Sequence, residues 1–161
     1  MGEQWGVAQG SVGEFSSLAG REGDRVTILS ADEFVRLRYA EDPEDYRRAA
    51  SESAPLAVWL EVIERYPDAR VWVVRNKTVP MEILEDLVDD SDVRVRYAVA
   101  MKRKLTPMLL AHLALDEDES IRLRVAMHRN TSRETLEYLR NDSWDRVRET
   151  VRKRLVADRR Q

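Results

Sequence analysis

A valine recurs at Val73, Val99, Val125 and Val151, a constant step of 26 residues, and the same step carries Arg70 onto Arg96, Arg122 and Arg148. The surrounding phrase repeats with it. Its fullest copy is DDSDVRVRYAVAMKRKLTPMLLAHLAL; PDARVWVVRNKTVPMEILEDLV precedes it, DEDESIRLRVAMHRNTSRETLEYLR follows, and NDSWDRVRETVRKRL closes the series. A fixed period of this length makes each copy one supersecondary unit, whose apolar face is buried only by stacking on its neighbours.

Each copy resolves into two helices. In the fullest one, Val95, Ala98, Val99 and Lys102 share a stripe over 92–104, and Leu109, Leu110, Leu113 and Ala114 share another over 107–115. Both stripes keep the i, i+3, i+4 spacing of amphipathic helices. Thr106-Pro107, Val79-Pro80 and Ala54-Pro55 mark the start of the second helix. The acidic strings DDSD, DEDE and NDSW mark the start of the first, where carboxylates meet the positive end of the helix dipole. Helices this short are marginal alone in water, so stacking must stabilise them.

The series has predicted ends. All six glycines fall in residues 1–29, which lack periodicity and read as a disordered leader. Ser30 precedes Glu33 by three residues, the capping-box pattern, and opens a cap helix over 30–41 whose Phe34, Val35 and Leu37 cover the first copy. Asp42-Pro43 begins a divergent first copy with Ala49, Ala50, Trp59, Leu60 and Ile63 as its apolar face. The expected organisation is a single domain over 30–161, with repeats over 42–67, 68–91, 92–117 and 118–143 and a closing helix over 144–158.

Composition narrows the class. With 43% hydrophobic and 35% charged residues, no cysteine and no apolar run near the length of a membrane span, the chain reads as a soluble protein without disulfides, placed by default in the cytoplasm. Its net charge of −3 hides an asymmetry: residues 30–119 carry 13 Lys and Arg against 20 Asp and Glu, whereas residues 120–161 carry 12 against 6. Such a separation steers charged partners.

The succession of Asp90, Val95-Arg96, Val99-Ala100, Thr106-Pro107 and Leu110 to Leu113 resembles the HEAT repeats and the leucine-rich repeat variant, over about residues 43–155. The resemblance implies an all-α fold, a right-handed α-solenoid of four to five short helix pairs. It implies a protein that works by binding, usually to protein and sometimes to nucleic acid. In HEAT-like repeats an aspartate and an arginine at equivalent spacing form a ladder between adjacent units. That places Glu64 and Arg70, Asp90 and Arg96, Asp116 and Arg122, and Asp142 and Arg148 in structural roles.

Two surfaces remain for a partner. Lys77, Lys102, Arg103, Lys104, His128, Arg129 and Arg154 lie at the end of successive first helices and would stack into a basic strip. They read either as compensation of the helix dipole or as an anion-binding edge. The outward side of the second helix aligns Asp86, His112 and Tyr138 in one column and Glu85, Ala111 and Glu137 in the next, beside Met108. Its acidity suits a basic protein surface. Trp72 is a further candidate anchor, and Trp59 and Trp144 read as packing residues.

No catalytic motif, cofactor fingerprint or metal-ligand spacing is present, and His112 and His128 stand alone. HEAT-like hydroxylases bind iron through a histidine followed by glutamate; neither histidine here is so followed. HEAT-like glycosylases use a basic, aromatic-rich groove, whereas the central copies here are acidic. The expectation is a non-enzymatic module, monomeric on its own, that binds another, basic protein, by analogy with bacterial immunity proteins or regulatory adaptors. The alternative is a nucleic-acid binder using the basic strip and the C-terminal tail.

Overall fold

The computed structural model describes residues 28–158 and is all-helical there, with no strand. Helix α1 spans Ala31–Tyr39, α2 Pro43–Ser51, α3 Leu56–Arg65, α4 Arg70–Arg75 and α5 Met81–Leu87. Then follow α6 Val93–Ala100, α7 Pro107–Leu113, α8 Glu119–Met127, α9 Arg133–Leu139 and α10 Asp145–Asp158, with a 3₁₀ turn over Pro67–Ala69. The expected leader falls largely outside the described residues. Its Ile28, however, is fully buried and donates its N–H to Ser53 O at 3.2 Å, so the core begins ahead of Ser30.

Local chemistry sets the helix starts. Ser30 Oγ accepts the Glu33 N–H, but Glu33 returns its carboxylate to the N–H of Leu29 rather than Ser30, so the reciprocal box is displaced by one residue. Asp42, Asp92 and Asp118 cap α2, α6 and α8 through their carboxylates, and Thr106 and Ser132 cap α7 and α9 through their hydroxyls. Removing such a cap costs about 1 kcal/mol.

The ends come sooner than the apolar stripes predict. Helix α6 stops at Ala100 rather than 104, and α7 stops at Leu113 rather than 115. After Ala100 the chain turns so that the Lys102 side chain can reach back to the preceding copy. After Leu113, Leu115 N–H and Asp116 N–H bond to carbonyls three residues earlier, closing α7 with tight turns.

Helices α4, α6, α8 and α10 pack side by side in sequence. The intervening helices lie against this row: α5 on α4 and α6, α7 on α8, and α9 on α8 and α10. Val95, Ala98, Val99, Leu109, Leu110, Leu113 and Ala114 are all buried. At the other end α1 packs on α2 and α3, and the Phe34 ring meets the Trp59 indole edge-on at 5.1 Å. Leu60, expected in the apolar face, is instead 41% exposed, whereas Trp59 and Val62 turn inward.

The layers segregate charge. Helices α4, α6 and α8 hold six arginines and one glutamate. Helices α3, α5, α7 and α9 hold seven carboxylates and two arginines. The asymmetry read along the chain is therefore also an asymmetry between its alternate helices.

Candidate functional site

Two series of polar residues join successive copies. In the first, Arg96 at the start of α6 sends Nε and Nη2 to the two oxygens of Asp116, at 2.8 and 3.2 Å, and donates Nη1 to Asp90 O at 2.8 Å. Arg122 repeats this on Asp142 and on Asp116 O. Arg70 Nη1 reaches Asp90 at 3.2 Å. Each aspartate also accepts the N–H two residues on, at Asp92, Asp118 and Trp144.

The carboxylate that each of these three arginines meets is therefore the one twenty residues ahead. For Arg96 and Arg122 the acidic residue six positions behind contributes a main-chain carbonyl. Glu64 stays outside the series: it is exposed, and Arg70 Nε takes Ile63 O at 2.6 Å. Arg148 bonds Asp142 O, Ser143 O and the Asp145 carboxylate.

Burial raises the Asp116 and Asp142 carboxyls, but their arginine partners and main-chain N–H groups outweigh it, so both titrate below the ordinary range. These side chains are only 6% and 4% exposed. Pairs so buried bind little else; they tie one copy to the next.

The second series lies at the opposite end of α4, α6, α8 and within α10, at Asn76, Lys102, His128 and Arg154. Lys102 Nζ donates to Val74 O and Asn76 O at 2.9 and 2.8 Å. Arg154 Nη1 donates to Ala126 O and His128 O at 2.8 and 2.7 Å. His128 Nε2 lies 3.0 Å from Lys102 O, and its Nδ1 accepts the Asn130 N–H at 3.1 Å. A carbonyl can only accept, so this ring is the Nε2–H tautomer. Asn76 Nδ2 bonds Ala49 O and Glu52 O, both at 2.9 Å.

Each of these side chains thus satisfies carbonyls left open where a preceding helix ends. Burial alone holds the Lys102 ammonium below the usual lysine range. The basic strip is corrected accordingly: Lys102, His128 and Arg154 are engaged with main chain, and only Lys77, Arg103, Lys104 and Arg129 are exposed.

The third arrangement opens outward. Between α7 and α9 lies a groove of about 500 Å³, floored by Ala111 and Ala114 and walled by Met108, Leu115 and Tyr138. These three are 72%, 64% and 60% exposed, which is unusual for such large apolar side chains so close together. Glu134 lines the groove, and Glu137 stands beside Tyr138 in the adjoining cleft. Leu115 escaped notice in the sequence because it continues the apolar run of α7; the early end of that helix turns it outward.

The other candidates lie elsewhere. Glu85 and Asp86 are exposed on α5, and His112 Nε2 meets Asp89 Oδ1 at 2.6 Å. Trp72 lies on α4, half-buried against the core and lining different cavities from those of the groove. Among the described residues no three His, Cys, Asp or Glu stand together to hold a metal ion. No helix there is long and apolar enough to cross a membrane. No family model, curated protein or solved structure matches the chain.

Proposed function

We propose that the chain is a non-enzymatic protein-binding module, a right-handed α-solenoid of HEAT-like repeats, whose partner presents a basic segment with an apolar anchor to the groove between α7 and α9. The observation that carries this reading is the exposure of Met108, Leu115 and Tyr138 around one groove beside Glu134 and Glu137. Large apolar side chains supply binding energy at the centre of an interface, and a charged rim supplies orientation and choice of partner. The side-by-side row from α4 to α10 supports the solenoid, since the other helices are then free to stand apart and leave clefts between them.

An immunity-type or regulatory adaptor role in the cytoplasm is consistent with this chemistry, because a basic target matches the acidic layer. The nucleic-acid alternative loses ground through the second polar series, which engages three of the seven residues assigned to the strip.

Selection from a displayed random-peptide library tests the proposal. The expected consensus places Lys or Arg on either side of a bulky apolar residue, and Met108→Asp with Tyr138→Asp abolishes the selection. A consensus without basic residues, or one that survives the double substitution, contradicts it.

A further inference from the structure

Helices α1, α2 and α4 bring two arginines to one indole. The Arg38 guanidinium carbon lies 3.3 Å from the centre of the Trp72 ring, 4.7 Å from that of Tyr46 and 5.7 Å from that of Tyr39. Arg75 stands 4.6 Å from the same Trp72 ring. A cavity of about 110 Å³ lies among them, lined by Arg38, Tyr46, Ala49, Ala50, Trp72 and Arg75. None of its walls is acidic.

No acid lines this place. Arg48 nearby is surrounded by Glu33, Asp45 and Glu52, and Arg70, Arg96 and Arg122 each hold an aspartate. Among the described residues, Arg38 and Arg75 have no carboxylate within ion-pair distance, and the buried Nε of Arg38 has no hydrogen-bond acceptor. Stacking on aromatic faces holds a guanidinium in place but leaves its in-plane N–H donors unsatisfied. Arg38, with that buried donor, and the exposed Arg75 beside it leave the cavity short of an anion.

We propose that this cavity binds the phosphate of a phosphate monoester. Size and charge select the group. The cavity, about 110 Å³, has room for a phosphate group. A phosphate monoester is close to a dianion near neutral pH, which matches two guanidinium charges, and its several oxygens suit their forked donors.

The organic part has a place as well. A neighbouring groove of about 450 Å³ shares Trp72 and Arg75 with the cavity and continues past Val93 and Tyr97, which are 40% and 38% exposed. A flat apolar group leaving the phosphate would lie along those side chains. This site lies between α1, α2 and α4 and is independent of the groove between α7 and α9.

Titration followed by the NMR signals of the Trp72 indole and the Arg38 and Arg75 Nε–H groups tests the site, at constant ionic strength in chloride. The probes are inorganic phosphate, phenyl phosphate and adenosine 5′-monophosphate. Inorganic phosphate is expected to give saturable shifts at all three groups, and at least one of the two esters to bind tenfold or more tightly than it. Arg75→Gln, an exposed position whose change leaves the core untouched, is expected to weaken every probe at least tenfold, as is Arg38→Lys. Arg103→Gln, an exposed cation elsewhere, is expected to change nothing. Linear shifts without saturation, or equal affinity in Arg75→Gln, would overturn the anion site. Esters no tighter than phosphate would overturn the organic half of the proposal.

Discussion

The two ends of the short row helices solve one problem by different chemistry. At their starts the same pair recurs, an arginine on the aspartate twenty residues ahead, at Arg70, Arg96 and Arg122. At their ends Asn76, Lys102 and His128, and within α10 Arg154, reach back to main-chain carbonyls of the preceding copy. Four side chains of different charge and length serve one purpose. A structural role can therefore repeat at a strict period while residue identity does not, because all that is required there is a donor of sufficient reach.

The comparison is broken most sharply at Arg96. Arg96→Ala leaves the Asp116 carboxylate buried and unpaired, and we expect a loss of about 3 kcal/mol, read as a lower urea midpoint. Lys102→Ala tests the other end: two carbonyls lose their donor, for an expected loss of about 1–2 kcal/mol. Lys102→Arg, which places at 102 the donor found at 154, is expected to recover most of it.

Acid sharpens the difference further, because only the starts rely on carboxylates. Asp116 and Asp142 titrate below their ordinary value of 3.8 in the fold. Their stabilisation is therefore complete above that value and is lost as pH falls from it through the folded pKa. Urea midpoints between about pH 5 and pH 2 should drop less steeply in Asp116→Asn than in the parent protein. The smallest effect is expected at Lys104→Ala, an exposed strip position, within about 0.5 kcal/mol of the parent.

What the sequence made legible follows the same division. The starts of α1, α2 and α6 to α9 are written in side chains, the Asp, Ser or Thr that caps each of these six, and are read directly from the chain. Ends are written in main-chain geometry, so the stripes through Lys102 and Leu115 overshot α6 and α7. The Arg–Asp series was legible because its residue types recur, although the carboxylate each arginine reaches lies in the following copy and Glu64 takes no part. The series of Asn76, Lys102, His128 and Arg154 is hidden in the sequence because its members share neither charge nor shape. Trp72 drew attention as a lone aromatic; its partner Arg38 comes from outside the periodic region, where no register pointed to it.

The most direct test measures urea unfolding of Lys102→Ala beside Arg103→Ala, two adjacent cations that the sequence placed in one strip. A lowered midpoint with an unchanged m-value is expected for Lys102→Ala, and parent-like unfolding for Arg103→Ala. Equal, parent-like stability in both would contradict it, and would return Lys102 to the surface strip as a residue free to bind an anion.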